Sequence, residues 1–291
     1  MINITDFSKL PDLSGNRIFV NAKTSSLENS TVSFNGTGNI LFVEDGVKLS
    51  KSTIKFMGNN CLVYLKKSSR VFMVQIDVYN NSTVYVGGGN YFNGPLHISA
   101  SEEKNVIVGD DGLYSFDIWV RTADPHLIYS TETHERTNPS RSVFIGDHVW
   151  IGQSAIVLKK SVIGSGSIIG AASVVTGKNV PSNVSFSGNP ARLIKSGIFF
   201  VGESVHGWTE EKAKEFECYK EDRWIYEDDG KALALSDIDY NLTHCETADE
   251  RLAIVKSTFA KEGNKNRFFV PLPKEAPKEE APKKKGLFGK K

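Results

Sequence analysis

Residues 143–175 read VFIGDH VWIGQS AIVLKK SVIGSG SIIGAA SVV. Laid out in sixes, the third column is Ile145, Ile151, Val157, Ile163, Ile169 and Val175, aliphatic throughout. Gly146, Gly152, Gly164 and Gly170 follow four of them, with Leu158 and Thr176 as the exceptions. A fixed six-residue period signals a parallel β-helix, in which each hexad is one short strand and a turn. Every aliphatic residue then points inward and stacks on its equivalents in the coils above and below. The coils bury together a core that none could bury alone.

The pattern extends upstream in looser form. Ser30-Thr31-Val32-Ser33-Phe34-Asn35-Gly36 recurs as Ser52-Thr53-Ile54-Lys55-Phe56-Met57-Gly58 and again as Ser82-Thr83-Val84-Tyr85-Val86-Gly87-Gly88. The offsets are 22 and 30 residues, against about 18 for three bare hexads. Residues from about 15 to 125 are therefore expected to form irregular coils continuous with the regular hexads of 143–178, giving one β-helix over 1–196. Between the two parts, 124–141 breaks the period with Pro125, Pro139 and two histidines. An insertion of this kind is a loop projecting from one face, where binding function concentrates.

Beyond residue 196 the composition changes. Ala213, Phe216, Tyr219 and Trp224 fall at helical spacing within 209–224. Leu252, Val255 and Phe259 do so within 248–262, after a capping box that starts at Thr247, with Gly263 as the expected C-cap. The reading is a small helical appendix over 197–268 that caps the β-helix or contacts another subunit. Residues 269–291 are charged and proline-rich, so a disordered tail is expected. Its basic end, around Leu287 and Phe288, reads first as solvated, with weak contact to anionic lipid of an inner membrane as the alternative.

Whole-chain properties narrow the class. The 291 residues are 40% hydrophobic and carry a formal net charge of +1, so no global field favours nucleic acid. Cys61, Cys218 and Cys245 are too scattered for a disulfide framework or a zinc site. The first residues lack a basic and apolar leader, and no apolar run reaches membrane-spanning length. A cytoplasmic location is expected.

The run Ile145-Gly146-Asp147-His148-Val149-Trp150-Ile151-Gly152, with Gly188-Asn189-Pro190-Ala191-Arg192 downstream, resembles the hexapeptide-repeat acyltransferases. The likeness is to the galactoside and maltose O-acetyltransferase branch and its relatives that modify capsule and lipopolysaccharide sugars. It is good over about 105–196, loose before that, and absent in 197–291. It implies a left-handed parallel β-helix, whereas the general preference for right-handed crossovers would give the opposite hand. It also implies a homotrimer with active sites between subunits, acetyl-CoA as co-substrate, and no metal.

By the same resemblance His126, which precedes Trp150 by 24 residues, is the catalytic base. The chemistry suits the residue. A sugar hydroxyl is a weak nucleophile, and an imidazole, which titrates near neutral pH, can take its proton and pass it to a departing thiolate. Asp124 either orients that imidazole or holds the Asp-Pro turn, the turn being favoured. Trp150 would border the acceptor and thioester. Gln153, Ala171 and Thr176 would line the pantetheine arm, and Arg192, Lys195 and Lys178 would meet the phosphates. Thr176-Gly177-Lys178 departs from the family's usual Thr-Lys, which puts Lys178 in doubt. Arg121, Tyr129 and Asp117 are candidates for the acceptor, from nearness to His126 in sequence, with stabilising the loop as the equal alternative. His148 reads as structural or near the cleft rather than catalytic, and His97 and His134 as surface or packing residues.

The expected function is acetyl transfer from acetyl-CoA to a hydroxyl of a bacterial surface saccharide. Direct transfer is expected, since no serine or cysteine stands in a nucleophile setting. A sugar N-acyltransferase and a non-catalytic scaffold are the alternatives. A γ-type carbonic anhydrase needs histidines five residues apart on a hexad, and Gln153 stands five after His148.

Overall fold

The computed structural model describes residues 1–273. They form seven complete coils of a parallel β-helix and part of an eighth, with three flat faces. The first face runs from Arg17–Phe19 through Val143–Ile145 to Asn179–Val180. The second carries Ser26–Glu28 and Lys48–Ser50, then Tyr91–Phe92, Leu113–Tyr114, Trp150–Ile151, Ile168–Ile169 and Val184–Gly188. The third runs from Thr31–Phe34 through Ile118–Arg121 to Val174–Val175. Each end is closed by an antiparallel strand, Ile2–Ile4 on the third face and Ala191–Ser196 on the second. These cover backbone edges that a solenoid otherwise leaves open.

The aliphatic column falls where its period predicts. Ile145 stacks on Val108 and Ile163, Ile151 on Tyr114 and Ile169, Val157 on Val120 and Val175, and each of these is sealed from solvent. Consecutive coils approach so closely at the corners that a Cβ on Gly152 would sit 2.5 Å from the Ala171 nitrogen. The hexad glycines therefore serve coil-to-coil contact. A second regularity was not read from the sequence: His148, Ser154, Lys160, Gly166 and Ala172, again six apart, all have positive φ. One left-handed residue turns each corner, and four of these five are not glycine.

The looser repeat is half corrected. Thr31-Val32-Ser33-Phe34 pairs in register with Thr53-Ile54-Lys55-Phe56 on the third face. The third copy, Thr83–Val86, lies on the first face beside Leu62–Leu65. The strand that continues the third face is Val74–Val78, 22 residues after Ser52. A shared strand composition cannot say which face a strand occupies, whereas the coil length can.

The appendix packs against the side of the β-helix. It contains α1 (Glu210–Lys214), α2 (Leu235–Thr243) and α3 (Ala248–Ser257). Outward-facing aromatics of the first face, Tyr64, Tyr85 and Phe144, are covered by Leu252, Val255, Phe259 and Phe268. The Tyr85 hydroxyl donates to the Phe259 carbonyl at 2.9 Å. Arg251, fully buried in the first turn of α3, donates to the Asn81, Thr247 and Cys245 carbonyls. Arg267 closes the far end by bridging Asp147 at 2.6 Å and Asp110 at 2.8 Å.

Two helix expectations are corrected. The stripe over 209–224 forms only the short α1, because α1 buries no residue and Trp224 leaves the stripe to pack on His148. α3 does begin with Thr247 capping the Glu250 nitrogen, but its C-cap is Thr258 rather than Gly263. α2 was not anticipated. The tail expectation and the lipid-contact alternative fall almost wholly outside the described residues.

Candidate active site

The loop 124–141 leaves the corner between the third and first faces, after Ile118–Arg121 and before Val143–Ile145. It folds back as a small hairpin, with Tyr129 bridged to Arg136 and the Thr137 nitrogen donating to the Ile128 carbonyl at 2.9 Å. Its base is held by a polar cluster. Lys159, from the next coil, donates to Asp124 at 2.5 Å and to the Asn138 carbonyl at 3.1 Å. The Asn138 amide donates to Asp124 and to the His126 carbonyl, at 3.0 and 2.8 Å, while its oxygen accepts from the Ile128 nitrogen at 3.0 Å. Arg136 donates to both oxygens of Glu102.

The His126 backbone is thus fixed while its imidazole stands exposed, with no hydrogen bond among the described residues. Asp124 does not reach that imidazole. The Lys159 ammonium on its carboxylate lowers its pKa below the ordinary value, and its role here is to hold the loop. Asn138 is the residue that the sequence reading passed over. It is buried, and its four side-chain hydrogen bonds, the fourth accepted from Arg136 Nε at 3.3 Å, define the path of the chain around His126.

Trp150 lies on the outer side of the second face, 38% exposed, with its strand between Leu113–Tyr114 and Ile168–Ile169. The Phe200 ring leans on it at 5.8 Å and 52°. Among the described residues no hydrogen bond or ring contact joins His126, on the loop at the corner between the third and first faces, to Trp150 on the second face. Gln153 and Ala171 do come together at the corner between the second and third faces, where the Gln153 carbonyl accepts from the Ala172 nitrogen at 2.7 Å. Thr176 and Lys178 flank the next corner, and Arg192 and Lys195 lie on the exposed returning strand. None of these three cations has a carboxylate partner among the described residues.

Near the root of the loop, Arg121 lies over the Trp119 ring at 4.7 Å, and His97 stacks on that ring at 4.2 Å. Asp117 accepts from the Trp119 indole nitrogen at 3.1 Å and from the Ser154 hydroxyl at 3.3 Å. Arg121 has no carboxylate partner among the described residues, so its guanidinium is open to an anion. Trp119 was missed in the sequence, where it reads as an ordinary strand aromatic. Tyr129 sits apart, on the loop hairpin, more than half exposed.

His148 is a structural residue. It is buried, its Nε2 faces the Phe200 carbonyl at 2.9 Å and its Nδ1 faces the Asp111 carbonyl at 3.2 Å. Its ring is sandwiched between Phe200 at 4.0 Å and Trp224 at 3.5 Å. Burial lowers its pKa, against the raising effect of the two carbonyls.

Comparison with known proteins agrees with the fold. The family model for the bacterial transferase hexapeptide (six repeats) matches residues 142–177. The polysialic acid O-acetyltransferase of Neisseria meningitidis is 30% identical over 188 residues, 64% of this chain and 87% of that protein. The polysialic acid O-acetyltransferase of Escherichia coli O1:K1 / APEC is 40% identical over 101 residues, 35% of this chain and 33% of that one. The crystal structure of the polySia specific acetyltransferase NeuO superposes with a TM-score of 0.60 at 29% identity, over 69% of this chain and 93% of that one. The chain belongs to the hexapeptide-repeat acyltransferases, in the family of the polysialic acid O-acetyltransferases.

Proposed function

We propose that this enzyme moves an acetyl group from acetyl-CoA to a hydroxyl of polysialic acid or a similar carboxylated surface saccharide, with His126 as general base. The observation that carries the reading is the relationship to the Neisseria polysialic acid O-acetyltransferase, which spans 87% of that protein. Bound acetyl-CoA supplies the activated acyl group. Arg192 and Lys195, with Lys178, are the cations suited to its phosphates, and Gln153, Ala171 and Thr176 present backbone and small side chains to its arm. A ring nitrogen of His126 takes the proton of the acceptor hydroxyl as its oxygen bonds to the thioester carbon, and returns that proton to the thiolate that departs when the carbon–sulfur bond breaks, worth about 10²–10⁴ in rate. Arg121 meets the acceptor carboxylate, and the Trp119 ring beneath it orients the planar guanidinium.

The site is completed between subunits of a trimer. Two observations support this. His126 stands on the loop between the third and first faces and Trp150 on the second face, and a second copy beside the loop would offer its own Trp150 to the same substrate. The first arm of the loop hairpin also carries Leu127, Ile128 and Tyr129, which are 56%, 52% and 55% exposed and give the loop an apolar side suited to a neighbouring subunit.

The test is thiol release from acetyl-CoA with polysialic acid as acceptor, for wild type and His126→Ala, with mass spectrometry of the product. Acceptor-dependent release, an ester product, and a loss of about a hundredfold or more in the variant are expected. An amide product would point to N-acyl transfer. Unchanged release by His126→Ala would remove the base assignment, and absence of acetyl-CoA binding would overturn the reading.

A further inference from the structure

The two segments that cross the corner between the first and second faces are locked there by one side chain. Asn183, itself in the left-handed region, donates to the Ile198 carbonyl at 3.2 Å and to the Trp224 carbonyl at 2.8 Å, and its oxygen accepts from the Tyr226 nitrogen at 2.7 Å. The carboxamide thereby fixes Phe200 and Trp224 on opposite sides of the His148 ring. The three rings are parallel within 4°. The Phe200 carbonyl is also held by His148 Nε2. Phe200 is 8% exposed, whereas the neighbouring Phe199 does not enter the stack.

One ring of this stack reaches Trp150. Phe200 meets the indole at 5.8 Å between ring centres with the planes tilted by 52°, and no other aromatic ring contacts it among the described residues. A tryptophan on a flat two-residue strand has side-chain freedom, and an outward indole loses it only if something stands beside it. Aromatic pairs in such geometry are favoured beyond their buried area.

We propose that Phe200 is a positioning residue for the Trp150 indole, held in place by the His148–Trp224 stack, so that the C-terminal segment sets the shape of the transferase site. The inference rests on the reading of Trp150 as a site residue. It gives the segment after Ser196, where the sequence shows no family motif, a part in the chemistry.

The experiment is a double-substitution cycle on the full chain, assayed by thiol release with acetyl-CoA and polysialic acid, with thermal melting run alongside. Phe200→Leu keeps apolar volume and removes the ring. It is expected to lower kcat/KM roughly two- to tenfold in protein that remains folded at the assay temperature. Trp150→Phe lowers it as well, and adding Phe200→Leu to Trp150→Phe then produces little further loss, the non-additivity of residues acting as one unit. A purely structural Phe200 would shift the melting temperature and leave kcat/KM unchanged, which overturns the proposal. Fully additive losses overturn it too. Full activity of both Trp150→Phe and Trp150→Ala would instead remove Trp150 from the site, and the proposal with it. If Phe200→Leu does not fold, Phe200→Met makes the same comparison with a more adaptable side chain.

Discussion

Lys159 and Asp124 meet at 2.5 Å across the gap between the regular coils and the loop that carries His126. The contact joins two parts of the chain that the sequence separates by 35 residues. It makes the position of the candidate base depend on a lysine of the next coil whose ammonium is taken up by Asp124 and the Asn138 carbonyl.

Lys159→Met should therefore loosen the loop. The expected outcome is a loss of roughly tenfold in kcat, as for small misplacements of a reacting group, with little change in global stability because the pair is partly solvated. Asp124→Asn should behave similarly. Lys159 lowers the Asp124 pKa, so the contact stabilises the fold fully above the ordinary carboxylate value of 3.8 and is lost as pH falls below it. Activity and urea titrations of both variants check this.

Arg267 is the buried clasp of the appendix. It holds Asp147 in two hydrogen bonds at 2.9 and 2.6 Å, and Asp110 also accepts from Lys66. Removing one partner of a buried pair leaves the other charge uncompensated, at about 3–5 kcal/mol. Arg267→Met should lower the urea midpoint by a corresponding amount and raise protease sensitivity within 197–273 first. Unchanged cleavage there would contradict the role given to the clasp.

His148 should make stability depend on pH. Burial depresses its pKa, so below the ordinary value of 6.5 the unfolded chain binds more protons than the folded one. Its contribution is complete above pH 6.5 and is lost as pH falls from there through the folded pKa. Unfolding free energies measured between pH 5 and 8 (roughly the range in which histidines titrate) should fall toward the acid end. His148→Asn, which has no titrating group, should flatten the profile.

Arg121 separates binding from chemistry. Arg121→Gln should raise KM for polysialic acid about tenfold, the scale of one charge-assisted contact, and leave KM for acetyl-CoA unchanged. The wild-type advantage should shrink with added salt. Equal effects on both substrates would remove Arg121 from the acceptor side.

The β-helix was legible because Ile145 and its partners repeat at a period that only stacked coils satisfy. The helices were less so. Leu252, Val255 and Phe259 find the aromatic first face and are buried, whereas Phe216 and Tyr219, at equally helical spacing, find no surface and stay half exposed. Periodicity records an apolar stripe but not what will cover it. The loop and His126 were located by motif spacing, which carries no geometry. Asn138, Trp119 and Phe200 escaped notice because their importance lies in partners tens of residues away, such as Lys159 and His148.

The most direct test of the shared site is to mix subunits of His126→Ala and Trp150→Ala after confirming that each alone is inactive. If one subunit supplies the histidine and its neighbour the tryptophan, randomly mixed trimers regain about a quarter of wild-type sites. Recovery of that order in thiol release with polysialic acid is the predicted result. Mixed assemblies no more active than either variant alone would contradict it.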